Sequence, residues 1–518
     1  MLTRTRREFL QDVGKGVVAA TVGTGLAADL GFSTAFAEDG PERLTFGALE
    51  PLVGLMQETP APQLLPQVVQ RVQQGTPLRD IVAAATLANA RTFGGEDYVG
   101  FHTIMAMSPA YHMAGELPEA RRALPVLKVL FRNSSRIQEF GGPGREVLHP
   151  VPGGVRLPAD RVGGEVLRET VRNRNMDEAE RTFATLARSP EDALNSVLYE
   201  VADAADVHRV VLPYRAYDLL KIVGREQAHT MLRQSVRYCV RAEQQPRYVE
   251  YFRSVRTTVP RLLDQYRLEG RAFGTRVADD RWVDETSLAI FCATPERAAD
   301  IAAAALADGL SPESVSEALS LAANQLLLRD NGRPRDEGPN KPAGSVHGDS
   351  IGLHGCDTVN AWRNLARAAN QHNKAVCLIL GAWQVARDRS ARGDFVNWQP
   401  YPRQDAREQV RELANDRLLP TLEDAIRNRD QARATAVAWQ YGQSGLAPRP
   451  LWDLLLRYAV SEDGALHGEK FYRTATEEYL TTRPAFRWRQ LIALARVTAS
   501  EHGYAAPGYA DACRLLGV

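Results

Sequence analysis

Two short segments, Gly100-Phe101-His102 and Gly352-Leu353-His354, stand at matching places in the two halves of this chain. Each leads into a long helical stretch without Gly-Pro clusters. These end in Val126-Leu127-Lys128-Val129-Leu130-Phe131 and Leu378-Ile379-Leu380-Gly381-Ala382-Trp383. Two further correspondences follow the same order. Thr76-Pro77 opens a helix through Asn89, and Ser311-Pro312 opens one through Asn324. Tyr217-Asp218-Leu219-Leu220 leads to His229, and Trp452-Asp453-Leu454-Leu455 leads to His467. Ordered self-similarity is the mark of a repeated supersecondary unit whose apolar face is buried by its neighbour. The expectation is an all-α protein with internally duplicated helical halves packed about a pseudo-twofold axis.

The 518 residues are enough for two or three domains, or for one large duplicated unit. Lys+Arg and Asp+Glu both total 63, so no net charge draws the chain to nucleic acid or anionic lipid. An apolar fraction of 44% supports a sizeable core. Lysine is confined to Lys15, Lys128, Lys221, Lys341, Lys374 and Lys470, so a lysine beside a candidate site stands out. The cysteines, Cys239, Cys292, Cys356, Cys377 and Cys513, are odd in number and scattered, a poor disulfide framework. They read as buried apolar fillers, with Cys356 the one of interest because it lies beside His354.

Residues 1–37 read as an export signal. Thr5-Arg6-Arg7-Glu8-Phe9-Leu10 matches the twin-arginine motif, an Ala/Gly/Val-rich run follows, and Ala35-Phe36-Ala37 suits cleavage. The expected partner in export is the twin-arginine translocase, and the expected location is periplasmic or secreted. Passengers of that route fold first, and many load a metal in the cytoplasm. That order protects iron sites from copper and zinc, which such donors otherwise favour. No later stretch approaches the apolar length of a membrane span.

The remaining chain divides into a linker (38–63), a first helical half (64–246), a helical connection (247–298), a second half (299–480) and C-terminal helices (481–518). Thr76 and Ser311 stand where N-caps belong, each with proline next, the favoured first helical residue. Pro213 reads as the opening of the helix that carries Asp218. A polar Gly/Pro-rich insertion, 329–352, precedes His354 and has no counterpart before His102. Loops of that length are commonly functional.

If the halves meet about a twofold axis, His102, His229, His354 and His467 converge. Neutral imidazole is the commonest protein ligand for zinc, copper, iron and nickel. A single helix histidine is more often a core or surface residue than a ligand. The repeat lifts these four above the other six of the ten histidines. His467-Gly468-Glu469-Lys470 places Lys470 on the face of His467. An ammonium beside a metal is repelled, so Lys470 must be neutral, turned away, or carbamylated by carbon dioxide into an anionic ligand. A solvated helix lysine is the plain alternative. His112 lies three turns past His102, as a substrate or supporting contact. His347 and His208 are candidates to close over the site. Asp357, three residues past His354, suits the orienting of an imidazole. Asp218 and Asp453 recur in both halves, as ligand supports or packing ion pairs. His149, His372 and His502 read as ordinary polar residues.

The duplicated halves, four spaced histidines and a lysine after the last resemble the questin oxidase-like family over most of residues 64–480. That resemblance implies oxidative ring opening of anthraquinone-type compounds by non-haem iron held by four histidines and a carboxylated lysine. Carried over by position, His102, His229, His354 and His467 are ligands and Lys470 is the modified lysine, with Fe(II), dioxygen and a bulky organic substrate as partners. Zinc and copper fit the same donors. The export signal and the 329–352 insertion depart from that pattern. No nucleophile elbow, Walker loop, HExxH or dinucleotide motif is present, which disfavours serine hydrolases and nucleotide enzymes. A non-catalytic helical-repeat scaffold and a helical toroid polysaccharide lyase are the competing readings.

Overall fold

The computed structural model describes residues 42–391, 393 and 395–518; the stretch 1–37, read above as an export signal, lies outside the described residues. Over them the protein is all-α. Helix follows helix, and the bridges are isolated ones, Arg276 with Leu310 and Glu462 with Ala505. The helices that build the interior are α1 (Leu78–Phe93), α2 (Tyr98–Glu116), α3 (Leu124–Phe140), α4 (Val207–Val223), α5 (Ala228–Glu243), α6 (Pro312–Arg329), α7 (Ile351–Ala368), α8 (Gln371–Arg389), α9 (His467–Thr481) and α10 (Trp488–Glu501).

Four of these close a ring at the centre: α2 packs on α4, α4 on α7, α7 on α9, and α9 back on α2. An outer layer covers them. Helices α1 and α3 lie on α2, α6 and α8 on α7, α5 on α4, and α10 on α9. The sequence records this central position. In α2 the consecutive residues Ile104, Met105, Ala106 and Met107 are all buried, as are Leu353 to Arg363 in α7. A helix buried on every side has other helices around its whole circumference.

The two glycines of the repeated segments have a steric purpose. A β-carbon at Gly100 would come within 2.5 Å of the Phe93 ring of α1, and one at Gly352 within 2.7 Å of the Leu327 Cα of α6. Each lets the histidine-bearing helix approach the helix before it. Side-chain caps then fix where these helices begin. Asp97 accepts from Gly100 N at 2.7 Å, Asp206 from His208 N at 3.1 Å, and Ser350 from Leu353 N at 3.3 Å.

Several boundaries differ from expectation. Ser311 caps α6 by accepting from Ser314 N at 3.2 Å, but α1 begins only at Leu78, with Pro77 in the capping position and no side-chain cap. Pro213 does not open a helix. It lies inside α4, which starts six residues earlier at Val207 and tolerates the lost backbone bond in mid-course. The stretch 42–63 is no bare linker, because helix Glu50–Glu58 packs on α1 and α3. The C-terminal α10 is buried from Gln490 to Glu501 and belongs to the interior. Asn89 and Asn324, matched in sequence, have different partners. Asn89 donates to Gly100 O, Thr103 and Asn133, whereas Asn324 donates to Gln490 Oε1 and Arg489 O. Asp218 is buried against Ser108 and Lys221, while Asp453 is an exposed partner of Arg449.

The insertion 329–352 is drawn together by buried Arg333. Its guanidinium donates to Ser345 O, Ser345 Oγ, His347 O and Asp349, and pairs with Glu337 at 3.1 Å. Among the described residues no helix is long and apolar enough to cross a membrane.

Candidate metal centre

Each helix of the central ring contributes one buried histidine: His102 from α2, His208 from α4, His354 from α7 and His467 from α9. Their rings touch around a closed circuit. Centroids lie 4.8 Å apart for His102–His208, 5.9 Å for His208–His354, 4.9 Å for His354–His467 and 5.2 Å for His467–His102. Two pairs approach through Nε2, His354–His467 at 2.9 Å and His102–His208 at 3.3 Å.

The far side of two rings fixes their tautomers. His102 Nδ1 lies 2.7 Å from the Tyr98 carbonyl, and His467 Nδ1 lies 3.1 and 3.0 Å from the carbonyls of Gly464 and Ala465. A carbonyl only accepts, so Nδ1 carries the proton in both and the Nε2 lone pair faces the cluster. Burial, and then the charge of Lys470, holds both imidazoles well below the ordinary histidine range, so they are neutral. Neutral imidazoles with fixed Nδ1–H donors are the form in which histidine ligates metals.

At a metal–nitrogen length of about 2.0–2.1 Å, adjacent ligands of a tetrahedral or octahedral ion stand about 2.9–3.4 Å apart. The two Nε2–Nε2 separations, 2.9 and 3.3 Å, fall on that edge length. They also equal imidazole–imidazole hydrogen bonds, and the approach is pairwise. Among the described residues no group of three or more His, Cys, Asp or Glu side chains forms a finished metal-holding arrangement. The donor types, protonation and edge lengths fit a metal; convergence on one point is not part of the geometry.

His229 is not in this cluster. It stacks on Phe183 with centroids 5.5 Å apart, and burial with the nearby Arg233 charge depresses it to about 4. The reason is layer: α5 packs on the outside of α4, so its first turn faces helices Met176–Leu186 and Pro190–Val201. His208, in the first turn of α4, takes the place expected for His229.

Lys470 is buried one turn along α9 from His467, and its charge acts on both His467 and His102. Burial lowers its amine to about 8 against the opposing pull of Asp357. Asp357, also buried, is pushed by burial up to about 6 while Lys470 draws it down. Asp357 and Lys470 thus act on each other through their charges beside the histidines.

Beyond that pair a polar column continues between the ring helices. Tyr214 donates to Glu477 at 3.0 and 3.1 Å, Arg473 pairs with Glu477 at 2.8 Å, and Arg215 stands 4.0 Å from the same carboxylate. His112 lies at the outer end of this column, half-buried, with burial and then Arg473 lowering its affinity for a proton. It makes no ring contact with the four clustered histidines among those described. His347 does not close over the site. Its Nδ1 meets Ser500 Oγ at 2.8 Å and its Nε2 meets the Asn340 carbonyl at 2.7 Å, which ties the insertion to α10. The insertion reaches the site through Asp349, whose charge acts on His467. The Cys356 thiol donates to the Ala323 carbonyl at 3.3 Å, and burial raises it well above the ordinary thiol range, so it is no thiolate ligand.

No protein-family model, curated protein or solved structure matches this chain. The questin oxidase-like resemblance therefore stands on the residues alone.

Proposed function

We propose that this protein is an exported metal-dependent oxygenase, with His102, His208, His354 and His467 as metal ligands and Fe(II) as the metal. The observation that carries this reading is the closed circuit of four buried imidazoles, one from each ring helix, two of them with Nε2 lone pairs turned inward. Bound there, iron supplies the binding and activation of dioxygen. Zinc or copper would occupy the same donors.

The chain's own residues do the rest. Tyr98, Gly464 and Ala465 hold two imidazoles in the ligating tautomer through their carbonyls. Buried Lys470, with its amine near 8, reaches the neutral form that adds carbon dioxide far more readily than an exposed lysine does. Carbamylated, it would offer the histidine cluster an anionic oxygen ligand. The Asp357 charge favours the ammonium form and works against that neutrality, and burial of the lysine outweighs it. The column from Arg215 to His112 is the polar side on which a bulky organic substrate would approach, and the duplicated-halves reading places that approach between them. An aromatic polycyclic substrate follows from the family resemblance alone.

The scaffold reading keeps one specific support, since each Nε2–Nε2 contact also has hydrogen-bond length. Elemental analysis of the purified mature protein separates the two. About one iron per chain, with dioxygen consumed when an anthraquinone is added, is the expected result. A protein with no bound transition metal and no affinity for added Fe(II) returns the cluster to the scaffold reading.

Export by the twin-arginine route is part of the same proposal, because prior folding lets iron enter in the cytoplasm. Changing Arg6→Lys together with Arg7→Lys is expected to leave the precursor uncleaved in the cytoplasm, seen by fractionation. Normal accumulation outside the inner membrane would remove that part of the proposal.

A further inference from the structure

Immediately before α9 the backbone makes a turn that side chains resist. Ala465 and Leu466 take φ values of +50 and +68, the left-handed region in which a β-carbon crowds the backbone. Residues keep such a conformation only where their surroundings impose it, and such strain gathers at functional sites. This turn contains the two carbonyls, Gly464 and Ala465, that accept the His467 Nδ1 proton.

What imposes it comes largely from the first half of the chain. Of the lysines described, Lys128 and Lys470 are the buried ones. Lys128, on α3, reaches across to the segment before α9. Its ammonium donates to the carbonyls of Ala459 at 3.0 Å and Glu462 at 2.5 Å, and pairs with Glu469 at 2.7 Å. One turn along α3, Arg132 holds both oxygens of Asp463 at 2.8 and 2.7 Å, and Asp463 in turn accepts from Ala465 N at 3.0 Å. From the other side Glu462 accepts from Gly503 N at 2.8 Å and Tyr504 N at 2.9 Å. A buried ammonium is stable only with its donors satisfied. Lys128 spends them on the two flanks of the strained turn.

We propose that Lys128 is the positioning residue for His467. By holding residues 459–469 from α3, it keeps the Ala465–Leu466 turn in its left-handed form and aims His467 Nε2 at the other imidazoles. The consequence for metal binding rests on the ligand set proposed above. It explains a position for which the repeat offers nothing: the residue matching Lys128 in the second half is Leu380.

The test uses the full mature protein, stripped by chelator and titrated with cobalt(II), whose visible absorption reports on imidazole ligation, with thermal unfolding measured in parallel. Lys128→Met is expected to weaken cobalt binding by about tenfold to a hundredfold and to alter the band, as loss of a ligand-orienting partner does. Lys221→Met, at a lysine whose side chain is 76% exposed, is expected to change neither. Ala465→Gly takes the same left-handed φ without the β-carbon penalty. With Lys128 in place it is expected to leave cobalt binding unchanged and the unfolding temperature the same or higher; weaker cobalt binding there would overturn the proposal. Cobalt bound by Lys128→Met as tightly as by the unsubstituted protein overturns the proposal. If that variant does not fold, Lys128→Gln, whose shorter donor cannot reach both the Ala459 and Glu462 carbonyls, decides, and unchanged affinity there overturns it. If the unsubstituted protein takes up no cobalt, the ligand reading fails on its own. Hydrogen exchange of residues 462–468 in whichever Lys128 variant folds then judges the clamp: faster exchange supports it and unchanged exchange overturns it.

Discussion

His208→Ala is expected to abolish stable metal binding, while His229→Ala leaves it intact. The first removes one of four imidazoles in mutual contact, whose ring lies 4.8 Å from His102 and 5.9 Å from His354. A lost ligand weakens binding by more than the roughly tenfold to hundredfold seen when only a ligand's supporting partner is lost. The second removes a ring stacked on Phe183 in the outer layer. Its penalty is one of packing, on the order of 1–3 kcal/mol. Metal content after dialysis, measured with the unfolding temperature, separates the outcomes. His208→Ala should lose the metal and the part of thermal stability that metal adds, and His229→Ala should keep the metal while unfolding somewhat earlier. Retention of metal by His208→Ala, or its loss in His229→Ala with a folded protein, would sink the ligand set.

The contrast between those two histidines also shows what a sequence of this kind discloses. His102 and His354 are legible because the glycine two residues before each is needed where helices cross closely, at Phe93 and Leu327. His467 and Lys470 are legible as neighbours one turn apart, and both are buried on α9. His208 is hidden by two local signals. Pro213 resembles a helix start, which cuts His208 off from the helix that carries it. The Asp-Leu-Leu match of 218–220 with 453–455 draws the eye to the histidine after it. One signal did favour His208: Asp206 is a capping residue placed to set it in the first turn, as His467 is set in the first turn of α9. The left-handed Leu466 leaves no trace in composition, because neither Gly nor Asn stands there. The bond of His347 to Ser500 is likewise invisible, since it joins positions brought together only by the packed fold.

Glu501→Gln is expected to make the protein more stable at neutral pH and to flatten its stability between about pH 5 and 8. Glu501 is buried on α10, with its carboxyl against Gly464 and Gly468 at the turn before His467 and at the start of α9. Burial pushes it up to about 8, opposed by the Lys128 charge and reinforced by Glu469. The folded state therefore holds a proton that the unfolded chain gives up near the ordinary carboxylate value. Where the native state binds the extra proton, stability falls as pH rises. The favourable contribution is complete below about pH 4.5, declines through the interval, and is gone above about 8. Glutamine copies the protonated acid in shape and charge and does not titrate. The stability difference between variant and unsubstituted protein should therefore be small near pH 5 and grow toward pH 8, by on the order of 3–5 kcal/mol. Denaturant unfolding of both proteins across that range measures it. A difference that stays constant with pH would mean that Glu501 is already ionised at pH 5. Lys128 would then neutralise two buried carboxylates at once, Glu469 and Glu501, rather than one.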